Sequence, residues 1–388
     1  MRDLRLPLET REPIYDMGAR FVANLEAPLA PHVFFLTPLG DHLTVVLSTV
    51  LMSWVCVYGC FRLARRLELG AVAFTLLTLL IAFNGSIVAH VGSGHLSWLG
   101  CYLLPLLIEG LIVMSAGGAA ARRAGATVAL VLFALVVMGS APHIGVLSGA
   151  LIAICAISMP AAHPALGLCL TQAAALSMFR VLPAGVTFIG GGRTWIADGY
   201  APRQVLEGLL LLRGPDARDL VSITRAYGVR DAVPLGWVEF DVYIGIVGTL
   251  FIAVFGVLAA IRHIGPAPRH EVALRTLQIP CLILAGLSVW RFYVAMIVAP
   301  VSLLSVARVP SRFLGVAVIV AVVLVAARFD AWWRSGRRQL SEVVCAWAVV
   351  VAAAAQLAYH ADVPPPSVAD SFRVRRLLSL PSSSPSTV

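Results

Sequence analysis

The chain has 388 residues, of which 59% are hydrophobic and 13% charged, with a mean hydropathy of +0.89. Soluble domains carry about 25% charged residues, so soluble domains cut from this chain would lack the polar groups to cover them, and the apolar excess equally excludes disorder. The net charge of +9 rests on 29 basic residues, all arginine; they cluster beside apolar runs, which marks membrane orientation and excludes a nucleic-acid partner.

About 20 apolar residues cross a bilayer. In chain order such runs occupy 42–61, 70–90, 96–116, 125–140, 144–159, 165–188, 242–261, 274–290, 313–328 and 340–359. The fold class predicted is an all-α polytopic membrane protein of about ten transmembrane helices. The fourth and fifth runs are short and separated by Ser140-Ala141-Pro142-His143. They form either a tight hairpin of two spans or a broken re-entrant pair.

Arginine placement sets the orientation. Arg62, Arg65 and Arg66 follow the first run, Arg122 and Arg123 the third, Arg262, Arg269 and Arg275 the seventh, and Arg328, Arg334, Arg337 and Arg338 the ninth. An alternating count puts all four clusters on one side, which is then cytoplasmic. The opposite face receives 1–41, 91–95, 189–241, 291–312 and the tail from 360. The chain thus divides into an extracytoplasmic segment 1–41, a transmembrane domain 42–359 and a low-complexity tail 360–388 ending in Pro381-Ser-Ser-Ser-Pro-Ser-Thr-Val388. Residues 1–41 reach the far face with no span before them and no signal-peptide apolar core. Either the first span acts as a reverse anchor or, the favoured expectation, a span precedes Met1.

Polar chemistry gathers on the extracytoplasmic face. Acids Glu12 and Asp16 lie in the first segment, and His90 and His95 flank the start of the third run. Within 189–241, Arg203–Arg213 is apolar around much of its circumference and too short to span, so it predicts an interfacial helix. Gly190-Gly-Gly192-Arg193 reads as a loop hinge in preference to an anion-binding nest. Glu239 and Asp241 lead into the seventh run; Arg308 and Arg312, four apart, would share a face if helical, although Pro310 disturbs that. Guanidinium binds phosphate oxygens two at a time, and a site at the interface suits a phosphate whose lipid tail stays in the bilayer. Two charges fall within spans, Glu109 and Arg180; Arg180, at the outer end, could join the phosphate site. His90 and His95 are five apart, off the i,i+4 metal pattern, and predict no metal site. The seven cysteines lie almost all in apolar runs and read as small apolar filler.

Several patches, in order, resemble the GT-C membrane glycosyltransferases, most closely the bacterial YfhO-like branch. They are Gly18…Asn24…Pro28…Pro38, Arg62-Leu-Ala-Arg65-Arg66, Phe83-Asn-Gly85…His90…Gly94-His95…Leu104-Pro105, Glu239-Phe-Asp241-Val-Tyr243-Ile244-Gly245 and Arg308-Val-Pro310-Ser-Arg312-Phe313. The resemblance covers about residues 15–330. It implies a polyprenyl-phosphate-sugar donor used on the extracytoplasmic face of a bacterial cytoplasmic membrane, with no nucleotide-binding fold. The family's catalytic carboxylate maps onto Glu12 or Asp16, although no clean Asp-Asp or Asp-Glu pair is present. Arg308, Arg312, Glu239, Asp241, His95 and Arg180 are then the substrate-binding candidates. No cofactor is assigned and a divalent metal stays open.

Each assignment has an ordinary counterpart: interfacial anchoring for the arginines, solvated span ends for Glu239 and Asp241, interfacial hydrogen bonding for the histidines, surface acids for Glu12 and Asp16. Two other functions fit the same sequence. A non-catalytic subunit of a larger membrane complex needs no carboxylate pair. A transporter or lipid-handling protein would favour inverted repeats and mid-span acids, and only Glu109 meets the second condition.

Overall fold

Backbone N–H and C=O groups find no partner in hydrocarbon, so a chain this apolar must satisfy them within helices. The structure, a computed structural model, describes residues 9–12, 17–20, 36–189, 202–210, 239–262, 266–268, 270–289, 293, 309–336 and 339–362. In chain order the helices are α1 (Asp41–Leu67), α2 (Ala71–Gly92), α3 (Leu96–Ser115), α4 (Gly118–Val137), α5 (Pro142–Ser158), α6 (His163–Ile189), α7 (Pro202–Leu210), α8 (Gly245–Arg262), α9 (Glu271–Leu287), α10 (Arg312–Arg334) and α11 (Leu340–Asp362). Among the described residues, eight helices are long and apolar enough to cross a membrane: α1–α4, α6, α8, α10 and α11. This is the architecture of a polytopic membrane protein. One departure from an all-helical chain is an antiparallel hairpin, Glu9–Glu12 with Met17–Arg20, in the N-terminal segment.

Contacts along the helices give their relative directions. Gly70 meets Asp330 and Gly85–Ser86 lies beside Gly315, so α2 and α10 are antiparallel. Gly59 lies against Pro105 and Arg62 pairs with Glu109 at 3.2 Å, so α1 and α3 are parallel. Gly125 approaches Ala165, while Arg180 donates to the carbonyls of Val136 and Val137, so α4 and α6 are parallel. Parallel α4 and α6 require the intervening α5 to bring the chain back. Of the two short runs, the first belongs to a helix of 20 residues, long and apolar enough to cross a membrane, and the second to a shorter apolar helix. The fourth run is also longer than the sequence indicated: α4 begins at Gly118 and carries Arg122 and Arg123 within its first turns. Long arginine side chains let a helix continue past the hydrocarbon boundary.

Helix α10 is the centre of the bundle. From Phe313 to Ala327 its sequence is apolar on all sides, and nearly every side chain there is buried. At its C-terminal end Asp330 accepts from Gly70 N at 2.8 Å and pairs with Arg334 at 2.9 Å, while Arg334 also donates to the Glu68 carbonyl. The Arg62–Glu109 pair lies toward the same end. That pairing gives the mid-span acid a structural partner. At the opposite end come together the C-terminus of α2, the start of α3, the α4–α5 junction, residues 239–244, the start of α10 and the end of α11.

Helix α2 is interrupted within itself. The chain leaves the helix at Phe83, and the Asn84 side chain accepts from Ser86 N at 2.9 Å to cap a second segment, Gly85–Gly92. The break lets residues 239–244, fully buried and non-helical, lie along α2. Gly85 N donates to the Tyr243 carbonyl at 2.9 Å, and Val242 N and Ile244 N donate to the Gly208 and Leu209 carbonyls at the end of α7. Those carbonyls are among the acceptors a helix C-terminus leaves without intrahelical partners. A Cβ at Gly85 would stand 2.2 Å from Asp241 Oδ1 and 2.3 Å from Tyr243 N. Gly85→Ala should therefore push 239–244 off α2 and lower stability by about 1–3 kcal/mol, read as a fall in the unfolding temperature of the detergent-solubilised protein. An unchanged unfolding temperature would show that this packing is not needed.

Candidate functional site

The site is built around a carboxylate that water barely reaches. Glu239 is 8% exposed, and Arg312, the first residue of α10, grips it with two parallel bonds: Nε to Oε2 at 2.8 Å and a terminal nitrogen to Oε1 at 2.7 Å. Such a fork is the strongest geometry available to a guanidinium–carboxylate pair. Burial alone would raise the Glu239 pKa; the adjoining Arg312 charge and the bonds from Arg312 overcome it and hold the carboxyl well below the usual range. A carboxylate held that low is a poor proton acceptor at neutral pH. Glu239 therefore fixes Arg312 and cannot serve well as a general base.

Three histidines and a tryptophan surround this pair. His143 Nδ1 lies 2.7 Å from a terminal nitrogen of Arg312. Because arginine only donates, His143 accepts there and carries its proton on Nε2. His143 sits in a short widened π turn, Ala141–Gly145, that opens α5 and turns the ring toward the α10 start. His90, 1% exposed, stacks on Trp98 with ring centroids 3.6 Å apart. The Arg312 guanidinium lies 5.7 Å from the same indole ring, within cation–π range. His90 Nδ1 is 2.7 Å from the Ser86 carbonyl and its Nε2 is 3.2 Å from Glu239 Oε2. His95 lies at the exposed rim, its ring 5.7 Å from that of His90. Partial burial and the neighbouring His90 hold the His95 imidazole below its ordinary pKa, so it offers a lone pair at neutral pH.

Asp241 belongs to the support of this centre. Its Oδ2 is 2.9 Å from His360 Nε2 at the end of α11, and its Oδ1 accepts from Tyr243 N at 3.0 Å. The Tyr243 and His360 rings stack at 4.5 Å. These contacts clamp 239–244 between α2 and α11 and so aim Glu239.

The residues singled out from the sequence thus separate. Glu239, Arg312 and His95 converge; Asp241 holds the loop that carries Glu239. Arg180 is buried and gives one terminal nitrogen to the carbonyls of Val136 and Val137, at 2.6 and 3.3 Å, which caps the C-terminus of α4. Arg308 and Asp16 lie outside the described residues. Glu12 ends the first hairpin strand, and nothing about its side chain is described. Helix α10 starts at Arg312 and Val309–Pro310 is not helical; the expected shared face with Arg308 lies outside the described residues. Sequence reasoning missed His143, His360 and Trp98. The first two are polar residues at the ends of apolar runs, a signal that marks them as facing protein instead of lipid.

Comparison with protein-family models, with curated proteins and with solved structures gives no match.

Removing one partner of a buried pair leaves an unpaired charge and costs about 3–5 kcal/mol, whereas replacing both with apolar groups of similar size is close to neutral. Arg312→Ala should therefore destabilise strongly, and Glu239→Leu combined with Arg312→Met should recover most of the loss. Unfolding temperatures of the single and double variants decide it; equal losses would show that the pair is not coupled.

Proposed function

We propose that the chain is an integral membrane glycosyltransferase of a bacterial cytoplasmic membrane, of the GT-C kind, that uses a polyprenyl-phosphate sugar at its extracytoplasmic face. The observation that carries this reading is the Arg312 guanidinium, locked by Glu239 and His143 at one end of the bundle. Three of its five N–H groups are engaged among the described residues, which leaves two for an anion. A guanidinium whose orientation is already fixed is suited to a phosphate.

Ten crossings, with α5 and α9 as the short ones, put this centre at the end opposite the four arginine clusters. The excess of cytoplasmic arginine then places the centre outside. In the reaction the acceptor oxygen forms a bond to the sugar C1 as the C1–O bond to phosphate breaks. The acceptor proton passes to a carboxylate, Glu12 or Asp16, because Glu239 is too weak a base. The departing polyprenyl phosphate keeps the electron pair, and Arg312, with Arg308 as the second arginine, stabilises its charge. The pairing of Glu109 with Arg62 weighs against a transporter that needs a free mid-span acid.

The test is release of labelled sugar from a pool of polyprenyl-phosphate sugars in proteoliposomes. Arg312→Lys keeps the charge and loses the fork; turnover should fall about 100-fold or more, while the unfolding temperature falls less than in Arg312→Ala. Full turnover in that variant would remove Arg312 from the donor site. Orientation has its own test in a Cys345→Ser background. An impermeant maleimide on intact cells should label Leu39→Cys and reach Ser335→Cys only after permeabilisation. The opposite pattern would put the site in the cytoplasm.

A further inference from the structure

The bonds around His90 call for a positive charge, which a proton or a metal ion can supply. The Ser86 carbonyl, 2.7 Å from Nδ1, can only accept, so Nδ1 carries a hydrogen. In neutral His90 the remaining nitrogen, Nε2, then presents a lone pair. It faces Glu239 Oε2 at 3.2 Å, an oxygen of an ionised carboxylate that already accepts from Arg312 Nε. Two lone pairs pointed at each other in a buried place call for a positive charge between them.

Three further features select what that charge is. His95 stands beside the pair: ligand atoms of His90, His95 and Glu239 all lie within 4.8 Å of one another. Gly94, at φ +88°, turns the chain back between the two histidines, which is why residues five apart converge here although they could not on one helix. Ligands about 2.0–2.1 Å from a tetrahedral zinc ion stand about 3.3 Å apart, and the Nε2–Oε2 separation of 3.2 Å matches that edge. A histidine that binds metal through one ring nitrogen while the other donates to a backbone carbonyl is the usual arrangement of a metal ligand and its support. A shared proton would account for the His90–Glu239 contact but not for the approach of His95.

We propose that His90 Nε2, a ring nitrogen of His95 and a Glu239 carboxylate oxygen form a binding site for a divalent transition metal of the zinc class, with its fourth position open toward the exposed rim. Two imidazoles favour such an ion over magnesium or calcium. Glu239 has the geometry to serve both centres: Oε2 accepts from Arg312 Nε and also faces His90 Nε2, while Oε1 is held by a terminal nitrogen of Arg312. One carboxylate against a dication and a guanidinium leaves the centre positive, so the open position suits an anion. A phosphate oxygen has that chemistry, and this last step alone rests on the transferase reading.

The site is tested without any donor lipid, so its failure and that of the transferase reading are separable. The full-length protein, purified with a histidine-free tag and stripped with chelator, is titrated with Zn2+ by calorimetry and with Co2+ by visible absorption. The expected result is one tightly bound ion per chain and the d–d absorption of a four-coordinate Co2+ site. His95 is exposed, so His95→Ala leaves the buried bundle intact; its Zn2+ affinity should fall about tenfold or more and the Co2+ spectrum should vanish. Binding equally tight in His95→Ala, or no binding by the unaltered protein, would overturn the proposal.

Discussion

The Glu239–Arg312 fork is the interaction on which this end of the molecule depends. Taking a carboxylate and a guanidinium out of water costs several kcal/mol per ion, and only close, fully bonded geometry offsets that. Here Glu239 lies on a non-helical segment and Arg312 on the central helix, so the fork ties the most irregular part of the described chain to the most regular. His90, His143 and Trp98 then pack against its exposed edges. The fork is the direct polar tie between 239–244 and α10 among the described residues.

The bundle makes that irregular segment tolerable. Residues 239–244 cannot hydrogen-bond as a helix, so each backbone group needs an outside partner. The break at Phe83–Asn84 supplies one through Gly85 N, and the C-terminus of α7 supplies two through its orphan carbonyls. Asp241 closes the segment on itself and on His360. The same small-residue contacts that bring α2 against α10 at Ser86 and Gly315 also bring His90 within reach of Glu239. Close approach of helices through small residues is the ordinary way that membrane helices associate; here it also sets the spacing of the site.

The two ends of the bundle differ in chemistry for a clear reason. At the arginine-rich end, buried acids pair with half-exposed arginines, as Asp330 does with Arg334 and Glu109 with Arg62. At the other end they are buried and organised around neutral histidines, whose tautomers follow from their neighbours: His143 must accept from Arg312, and His90 must donate to Ser86. Buried, directional polar groups of this sort serve binding and catalysis better than anchoring.

Eight of the ten apolar runs read from hydropathy fall on helices long and apolar enough to cross a membrane, because an apolar stretch of that length must satisfy its backbone within a helix. Arginine placement marked one end of the bundle as the charged one, because charge asymmetry is carried by sequence position. Glu239, Asp241, His95 and Arg312 were each conspicuous as polar residues at the margins of apolar runs. Their division of labour was not legible. That Glu239 meets Arg312 across 73 positions, that Asp241 turns away to His360, and that Arg180 caps α4 all depend on which helices are neighbours and on their directions. Lipid-facing and protein-facing apolar surfaces look alike in a sequence. The convergence of His90 and His95 likewise needed the left-handed turn at Gly94, since a helical rule applied to a spacing of five separates them. Only tertiary structure decides such contacts, because they are set by where backbones can approach closely and not by the residues beside them in the chain.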